Sequence, residues 1–76
     1  MSKFLLTVKP KEEIKALQKA GFYIHHQTGS HIVMKHPANH RVRPVIPIHN
    51  KDLKKGTLRS IVNQASLSIE EFIKLF

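Results

Sequence analysis

The first regular pattern along the chain is helical. Apolar residues recur at intervals of three and four and would line one face of a helix, at Ile14, Ala16, Leu17 and Ala20. Pro10 suits the first turn of a helix, where its missing N–H costs nothing. Glu12 and Glu13 would lie at the positive end of the helix dipole, and Gly21 would supply the residue after the helix. The pattern therefore predicts a helix from Pro10 to about Ala20.

Two runs of alternating apolar and polar residues follow, at 22–27 and 31–36. This alternation is typical of strands with one buried face. Thr28-Gly29-Ser30 separates the runs, and a positive φ at Gly29 would permit a tight turn. The pattern predicts an antiparallel hairpin with His31 at the first position of the returning strand.

The alternation also predicts which side chains of the hairpin face the core. The inward set is Phe22, Ile24 and His26 in the first strand and Ile32 and Met34 in the second. The outward set is Tyr23, His25, Gln27, His31, Val33 and Lys35. In a regular strand His25 and His26 would point to opposite faces and could not share a metal ion. No Cys or Asp completes a set of zinc ligands at a known spacing, so we expect no metal site.

A third strand is predicted over 41–48. Its two faces would carry Val42, Ile46 and Ile48 on one side and Arg41, Arg43 and Val45 on the other. Pro44 and Pro47 cannot donate hydrogen bonds, so this strand should be an irregular edge strand.

Two more helices complete the pattern. Apolar residues at helical spacing predict a second helix from about Thr57 to Ala65. Ser68 and Glu71 form a capping-box pattern that opens a short final helix. The predicted fold class is α+β, in the order helix, three-stranded antiparallel meander, helix, short helix, with helices on one sheet face.

Length and composition restrict the class of protein. The 76 residues suffice for one small domain, 1–76, in which Phe4 and Leu6 would dock on the core. The absence of cysteine excludes disulfides, thiolate metal sites and a cysteine nucleophile. No apolar run approaches the roughly 20 residues of a membrane span, so we expect a soluble cytoplasmic protein with no membrane partner.

Charge points to a polyanionic partner. The formal net charge is +8, and all six histidines lie between His25 and His49, a span without Asp or Glu. Such a surface attracts nucleic acid or an acidic protein, although a basic surface can also serve solubility alone. The open sheet face would carry both the histidines and the cations.

Several motifs together resemble the HicA toxins. They are Lys9-Pro10-Lys11-Glu12, Gly21-Phe22, Gly29-Ser30-His31, Pro47-Ile48-His49 and Lys55-Gly56-Thr57-Leu58-Arg59-Ser60-Ile61. HicA proteins are small mRNA interferases of bacterial and archaeal toxin–antitoxin pairs, with a fold similar to the double-stranded RNA-binding domain. The resemblance runs from about Phe4 to Phe76. It implies that His31 is the functional histidine and that a HicB antitoxin is a partner, while Pro44 departs from the family pattern.

The chemistry expected from this resemblance is RNA cleavage without metal or other cofactor. The RNA 2′-hydroxyl attacks the adjacent phosphorus, and His31, on the turn formed by Gly29 and Ser30, would move the proton. His26 and His49 are candidates for a second proton-transfer group. The expected RNA contacts are Lys35, Arg41, Arg43, Lys54, Lys55 and Arg59.

Three functions remain open from the residues alone. The first is a ribonuclease toxin that acts on mRNA. The second is a non-catalytic RNA-binding module in which His31 has no chemical role. The third is a protein-interaction domain whose basic surface meets an acidic partner.

Overall fold

The computed structural model describes residues 8–49 and 51–76 of the chain. Its elements in chain order are α1 (Pro10–Lys19), β1 (Tyr23–Gln27), β2 (His31–Lys35), β3 (Val45–Pro47), α2 (Lys55–Gln64) and α3 (Ile69–Ile73). The three strands form one antiparallel sheet in the order β1-β2-β3. The predicted α+β fold and its meander are confirmed, in an arrangement consistent with the double-stranded RNA-binding domain. The docking predicted for Phe4 and Leu6 lies outside the described residues.

Local interactions explain both ends of α1. The Lys9 N–H donates to Glu12 Oε1 at 2.9 Å, so the first turn is capped from within. Gly21 follows the helix with a φ of +98°, a conformation that residues with a Cβ rarely adopt. The predicted end of the helix at Gly21 is confirmed.

The other two helices also follow local sequence signals. Helix α2 begins two residues before the predicted Thr57, at Lys55, with Lys54 as its N-cap residue. In α3 the Ser68 Oγ accepts from the Glu71 N–H at 3.0 Å, and the Ser68 N–H donates to Glu71 Oε1 at 2.8 Å. These reciprocal bonds confirm the predicted capping box, and the hydrogen bonds from Ser68 lower the pKa of Glu71.

The third strand is shorter than predicted. Only Val45–Pro47 is a strand, so Arg41 and Arg43 lie in the irregular segment before it. Pro44 is buried and its carbonyl accepts from the Met34 N–H at 2.9 Å, which continues the pairing without a proline donor. Proline therefore limits the strand to three residues, as the missing N–H groups imply.

The core lies between one sheet face and the three helices. Its buried cluster includes Phe22, Ile32, Met34, Val42 and Ile46 from the strands and the segments next to them, and Leu17, Leu58, Ile61, Val62 and Phe72 from the helices. The inward assignments of Phe22, Ile32 and Met34 are confirmed. Ile24, opposite Met34, also faces the helices as predicted, although its side chain is 44% exposed. Ile48, predicted on the same face as Val42 and Ile46, lines a groove with Ile14 and Ile32 and is 37% exposed.

Glu13, which was predicted to lie at the positive end of the α1 dipole, is a buried acid. Its side chain is fully buried, and neither carboxyl oxygen has a hydrogen-bond partner among residues 8–49 and 51–76. Burial raises the pKa of Glu13 to about 8. The side chain is therefore a neutral carboxylic acid at pH 7, because an unpaired carboxylate would be costly there.

Within residues 8–49 and 51–76, none of the helices has the length and apolar character needed to cross a membrane.

Candidate active site on the open sheet face

The turn that carries His31 is fixed by backbone hydrogen bonds. The Thr28 N–H donates to the His31 carbonyl at 2.9 Å, and the His31 N–H donates to Thr28 Oγ at 3.2 Å. The Ile48 N–H, just after β3, donates to the Ser30 carbonyl at 2.8 Å. The turn is thus bound to all three strands. Such a turn presents a side chain in a fixed position.

The predicted conformation of Gly29 is wrong. Among the described glycines only Gly21 has a positive φ. The turn closes instead through the Thr28–His31 hydrogen bonds, and a Cβ at Gly29 would meet no atom within 4 Å. Open space, rather than a left-handed backbone, is what glycine provides beside His31.

His31 is exposed, and its imidazole has one hydrogen-bond partner within residues 8–49 and 51–76. Its Nδ1 lies 2.9 Å from Ser30 Oγ. Across the sheet it stands opposite Pro47 of β3. Among the described residues no hydrogen bond involves its Nε2, so this nitrogen faces solvent and is available to a ligand.

A β-bulge reverses the faces predicted for the end of β1. The pairing runs Ile24 to Met34 and then His26 to Val33, so that His25 is the extra residue. Because cross-strand partners share a face, His26 lies with Val33 on the face away from the helices. Gln27, opposite Ile32, lies on the helix side. Both assignments of the sequence analysis, His26 inward and Gln27 outward, are therefore wrong.

The bulge also brings the two adjacent histidine rings together. His25 Nδ1 and His26 Nδ1 are 2.7 Å apart, and the ring centroids are 4.9 Å apart. The prediction that these rings point to opposite faces is wrong, because a bulge breaks strand alternation. Within the described part of the chain no group of three potential metal ligands forms.

The sheet face away from the helices, here called the open face, has an apolar floor and a polar rim. Its members by register are Tyr23, His26, His31, Val33, Lys35, Val45 and Pro47. Val33 belongs to this face as predicted, but it is only 8% exposed and lies outside the core cluster. Exposed His26 and His31 and half-buried Lys35 surround it. The resulting surface combines titratable rings with positive charge.

Positive charges close to the β1 bulge act on His25. Partial desolvation, then the charges of Lys35, His26 and Arg43, lower the pKa of His25. A neutral imidazole is therefore favoured at His25. The effect places Lys35 and Arg43, two predicted RNA contacts, near the bulge.

The other predicted cations lie on separate elements. Arg41 is exposed in the segment before β3, where its N–H donates to Asn39 Oδ1 at 3.0 Å. Lys54 caps α2, Lys55 is its first residue, and Arg59 lies one turn further on; all three are exposed. The predicted RNA contacts thus fall into a group at the sheet and a group at the start of α2.

His49 lies away from the open face. It lines a groove of about 570 Å³ with Ile14, Ile32 and Ile48, on the side of the sheet where α1 packs. Its Nδ1 accepts from the Lys51 N–H at 3.2 Å. Of the two candidates for a second proton-transfer group, only His26 shares a face with His31.

A known protein family matches most of this chain. The family model described as the HicA toxin of bacterial toxin–antitoxin systems matches residues 10–67. That range contains α1, the whole sheet and α2, together with the Gly29-Ser30-His31 turn. No curated protein matches the chain significantly. Because the family model covers well over half of the sequence, the chain belongs to the HicA family of toxins from toxin–antitoxin systems.

Proposed function

We propose that this protein is an endoribonuclease that cuts mRNA through the RNA 2′-hydroxyl, with His31 as the general base. The main observation in support is an exposed histidine on a turn that is hydrogen-bonded to three strands, with its Nε2 open to solvent. Membership of a family of RNA-cleaving toxins supports the same function. RNA supplies its own nucleophile, so the reaction needs proton transfer and charge stabilisation from the protein.

The contact with Ser30 defines which nitrogen of His31 acts. When His31 Nδ1–H donates to Ser30 Oγ, the lone pair of Nε2 points to solvent. Nε2 then takes the proton of the 2′-hydroxyl as the 2′-oxygen attacks phosphorus. Cleavage leaves a 2′,3′-cyclic phosphate on one fragment and a 5′-hydroxyl on the other.

Basic residues on two sides of the molecule bind the RNA backbone in this proposal. Lys35, Arg41 and Arg43 hold phosphates near the sheet, and Lys54, Lys55 and Arg59 hold them at the start of α2. The backbone N–H groups at the N-terminus of α2 add to this attraction. If about four phosphates are neutralised, log K falls with log salt at a slope near −3.

The toxin needs a partner that silences it, and we propose a HicB-type antitoxin that covers the open face. Residues 25–49 contain no acid, so nothing on this stretch repels an acidic partner. Binding there would block His31 and compete with RNA for the same cations.

The test is a cleavage assay with purified protein and a labelled RNA in EDTA. We expect the wild type to cut and His31→Ala to lose a factor of about 10²–10⁴ in kcat/KM. Because His31 is exposed, His31→Ala should keep the RNA affinity and its salt slope. His49→Ala is the matched control, since it removes an exposed histidine on the other side of the sheet.

Three results would overturn the proposal or part of it. Folded wild-type protein that binds RNA with the expected salt slope but never cuts it would be a non-catalytic RNA-binding module. Binding that is insensitive to both salt and RNA would leave a protein-interaction domain. Equal cleavage by His31→Ala and wild type would remove His31 from the chemistry.

A further inference from the structure

The β1 bulge creates a second histidine position on the open face. His26 stands opposite Val33 in the sheet register, and Val33 lies midway between His31 and Lys35 on β2. Diagonal neighbours in an antiparallel pair are about 7–8 Å apart, within reach of ring side chains. His26 therefore flanks the same patch of surface as His31, on the neighbouring strand.

The two histidines present the same nitrogen to solvent. In each, Nδ1 is held by the preceding residue, by Ser30 Oγ at 2.9 Å for His31 and by His25 Nδ1 at 2.7 Å for His26. No hydrogen bond involves Nε2 of either ring in the part of the chain that the structure describes. Two fixed rings with free Nε2 atoms suit a reaction that needs one proton removed and one delivered.

We propose that His26 is the second catalytic residue and acts as the general acid, an inference that rests on the ribonuclease function proposed above. His31 Nε2 accepts the 2′-hydroxyl proton while the bond between the 2′-oxygen and phosphorus forms. The bond between phosphorus and the 5′-oxygen breaks, and His26 Nε2–H gives its proton to that oxygen. One proton enters the protein and one leaves, so the step needs no other reactant.

His25 orients His26 for this role. Two nitrogens 2.7 Å apart require one donor and one acceptor. Desolvation and the charges of Lys35, His26 and Arg43 lower the pKa of His25, so neutral His25 is the acceptor. His26 Nδ1–H is the donor, and a protonated His26 then has its remaining proton on Nε2, toward the RNA.

Among the described residues, the charged and titratable groups that face this pair are neutral or positive. They are His31 and Lys35 on β2 and Arg43 in the segment before β3. The phosphate of bound RNA would bring compensating negative charge to this surface.

The decisive experiment changes the leaving group of the RNA. One substrate has the ordinary 5′-oxygen at the scissile bond, and the other has a 5′-sulfur, which leaves as a thiolate without protonation. The proteins are wild type, His26→Gln, His31→Gln and the control His49→Gln. Their melting temperatures and RNA affinities are measured first, and all three histidines are exposed.

On the ordinary RNA we expect His26→Gln to lose at least about 100-fold in kcat/KM, as is usual for loss of a general acid. On the 5′-thio RNA it should lie within a few-fold of wild type. His31→Gln should be slow on both substrates, because the 2′-hydroxyl still needs its base. His49→Gln should match wild type on both.

A pH–rate profile gives an independent readout. Wild type should show a bell, with an ascending limb from the base and a descending limb from the acid. His26→Gln should lose the descending limb on the ordinary RNA. A purely structural role of His26 would lower the bell without changing its shape.

The failures of the two proposals are distinguishable. If His31→Gln is slow but His26→Gln is as fast as wild type, or is equally slow on both substrates, the general-acid role is wrong and the ribonuclease stands. If wild type cuts neither RNA, the ribonuclease function and this inference both fail.

Discussion

Strand β2 has a histidine at each end, and the two have opposite environments. His36, just after the strand, has both nitrogens bonded to backbone: Nε2 lies 3.0 Å from the Ala20 carbonyl, and Nδ1 accepts from the Ala38 N–H at 3.0 Å. Its ring packs edge-on against buried Phe22, with centroids 4.9 Å apart. His31, at the start, is exposed and has a free Nε2. His36 is fully engaged in structure, whereas His31 is available for chemistry.

The neighbouring glycines show the same contrast. A Cβ at Gly21 would lie 2.7 Å from His36 Nε2, and the residue has a φ of +98°. At Gly29 a Cβ would meet nothing within 4 Å. One glycine permits close packing, and the other leaves the surface beside His31 open. The presence of a glycine near a histidine therefore does not distinguish the two roles; the occupied nitrogens do.

The largest expected effect separates the two histidines. His31→Ala should lower cleavage by about 10²–10⁴-fold with an unchanged melting temperature. His36→Ala removes two hydrogen bonds to backbone and one ring contact, at a cost of about 2 kcal/mol. For a domain of this size that corresponds to a melting temperature lower by roughly 8–16 °C.

The measurements are thermal unfolding and cleavage at a temperature where both variants remain folded. His40→Ala, in the loop after β2, is the control for loss of an exposed histidine. A His36→Ala protein that is as stable as wild type but inactive would contradict the comparison.

The next largest effect is on the stability of the core, and it depends on pH. Burial raises the folded pKa of Glu13 from 4.5 to about 8, so the folded state binds more protons than the unfolded state between these values. Stability from this group is present at low pH and is lost as pH rises toward 8. Between pH 5 and 7.5, wild type should lose about 3 kcal/mol relative to Glu13→Gln.

Urea unfolding at several pH values measures this difference. Glu70→Gln is the matched control, since it also replaces a carboxylate in the first turn of a helix, but an exposed one. Parallel pH curves for wild type and Glu13→Gln would show that Glu13 ionises normally in the folded protein. The pH dependence of cleavage, by contrast, should come from the open face and persist in Glu13→Gln.

Much of the fold could be predicted because its signals are local. Pro10, Gly21 and the Ser68–Glu71 pair define helix ends by their own backbone chemistry. The inward positions of Ile32 and Met34 followed from alternation, since a regular strand has only two faces. His31 could be selected only through its Gly-Ser-His motif.

The main errors of prediction concern the register of the hairpin, that is, which residues of β1 and β2 stand opposite each other. The turn is one residue shorter than expected, which pairs Gln27 with Ile32, and the bulge restores the inward position of Phe22. Phe22 and Gln27 are five residues apart, an odd separation, so both can face the helices only if the strand contains an extra residue. The odd separation of Phe22 and Gln27 would have indicated the bulge, but only if the length of the turn had been known. Helical spacing placed Glu13 on the same face as Ala16 and Leu17, but its charge argued against burial.

Gly21→Ala tests the packed glycine. The left-handed backbone alone costs about 1–2 kcal/mol for a residue with a Cβ, and His36 must also move away. We expect a total loss of about 2–3 kcal/mol, measured by urea unfolding. His36→Ala should make the same substitution less costly, because it removes the atoms that the new methyl group would meet. Additive losses in the double variant would show that backbone strain alone is responsible.

The smallest effect is expected at Gly29. Its φ is not positive and a Cβ meets no atom, so Gly29→Ala should change stability by no more than about 0.5 kcal/mol. The reduced freedom of the unfolded chain favours a slight gain. A loss as large as that of Gly21→Ala would mean that the turn needs a left-handed glycine after all. Unchanged stability with weakened cleavage would instead indicate that RNA approaches the backbone beside His31, where the free protein leaves space.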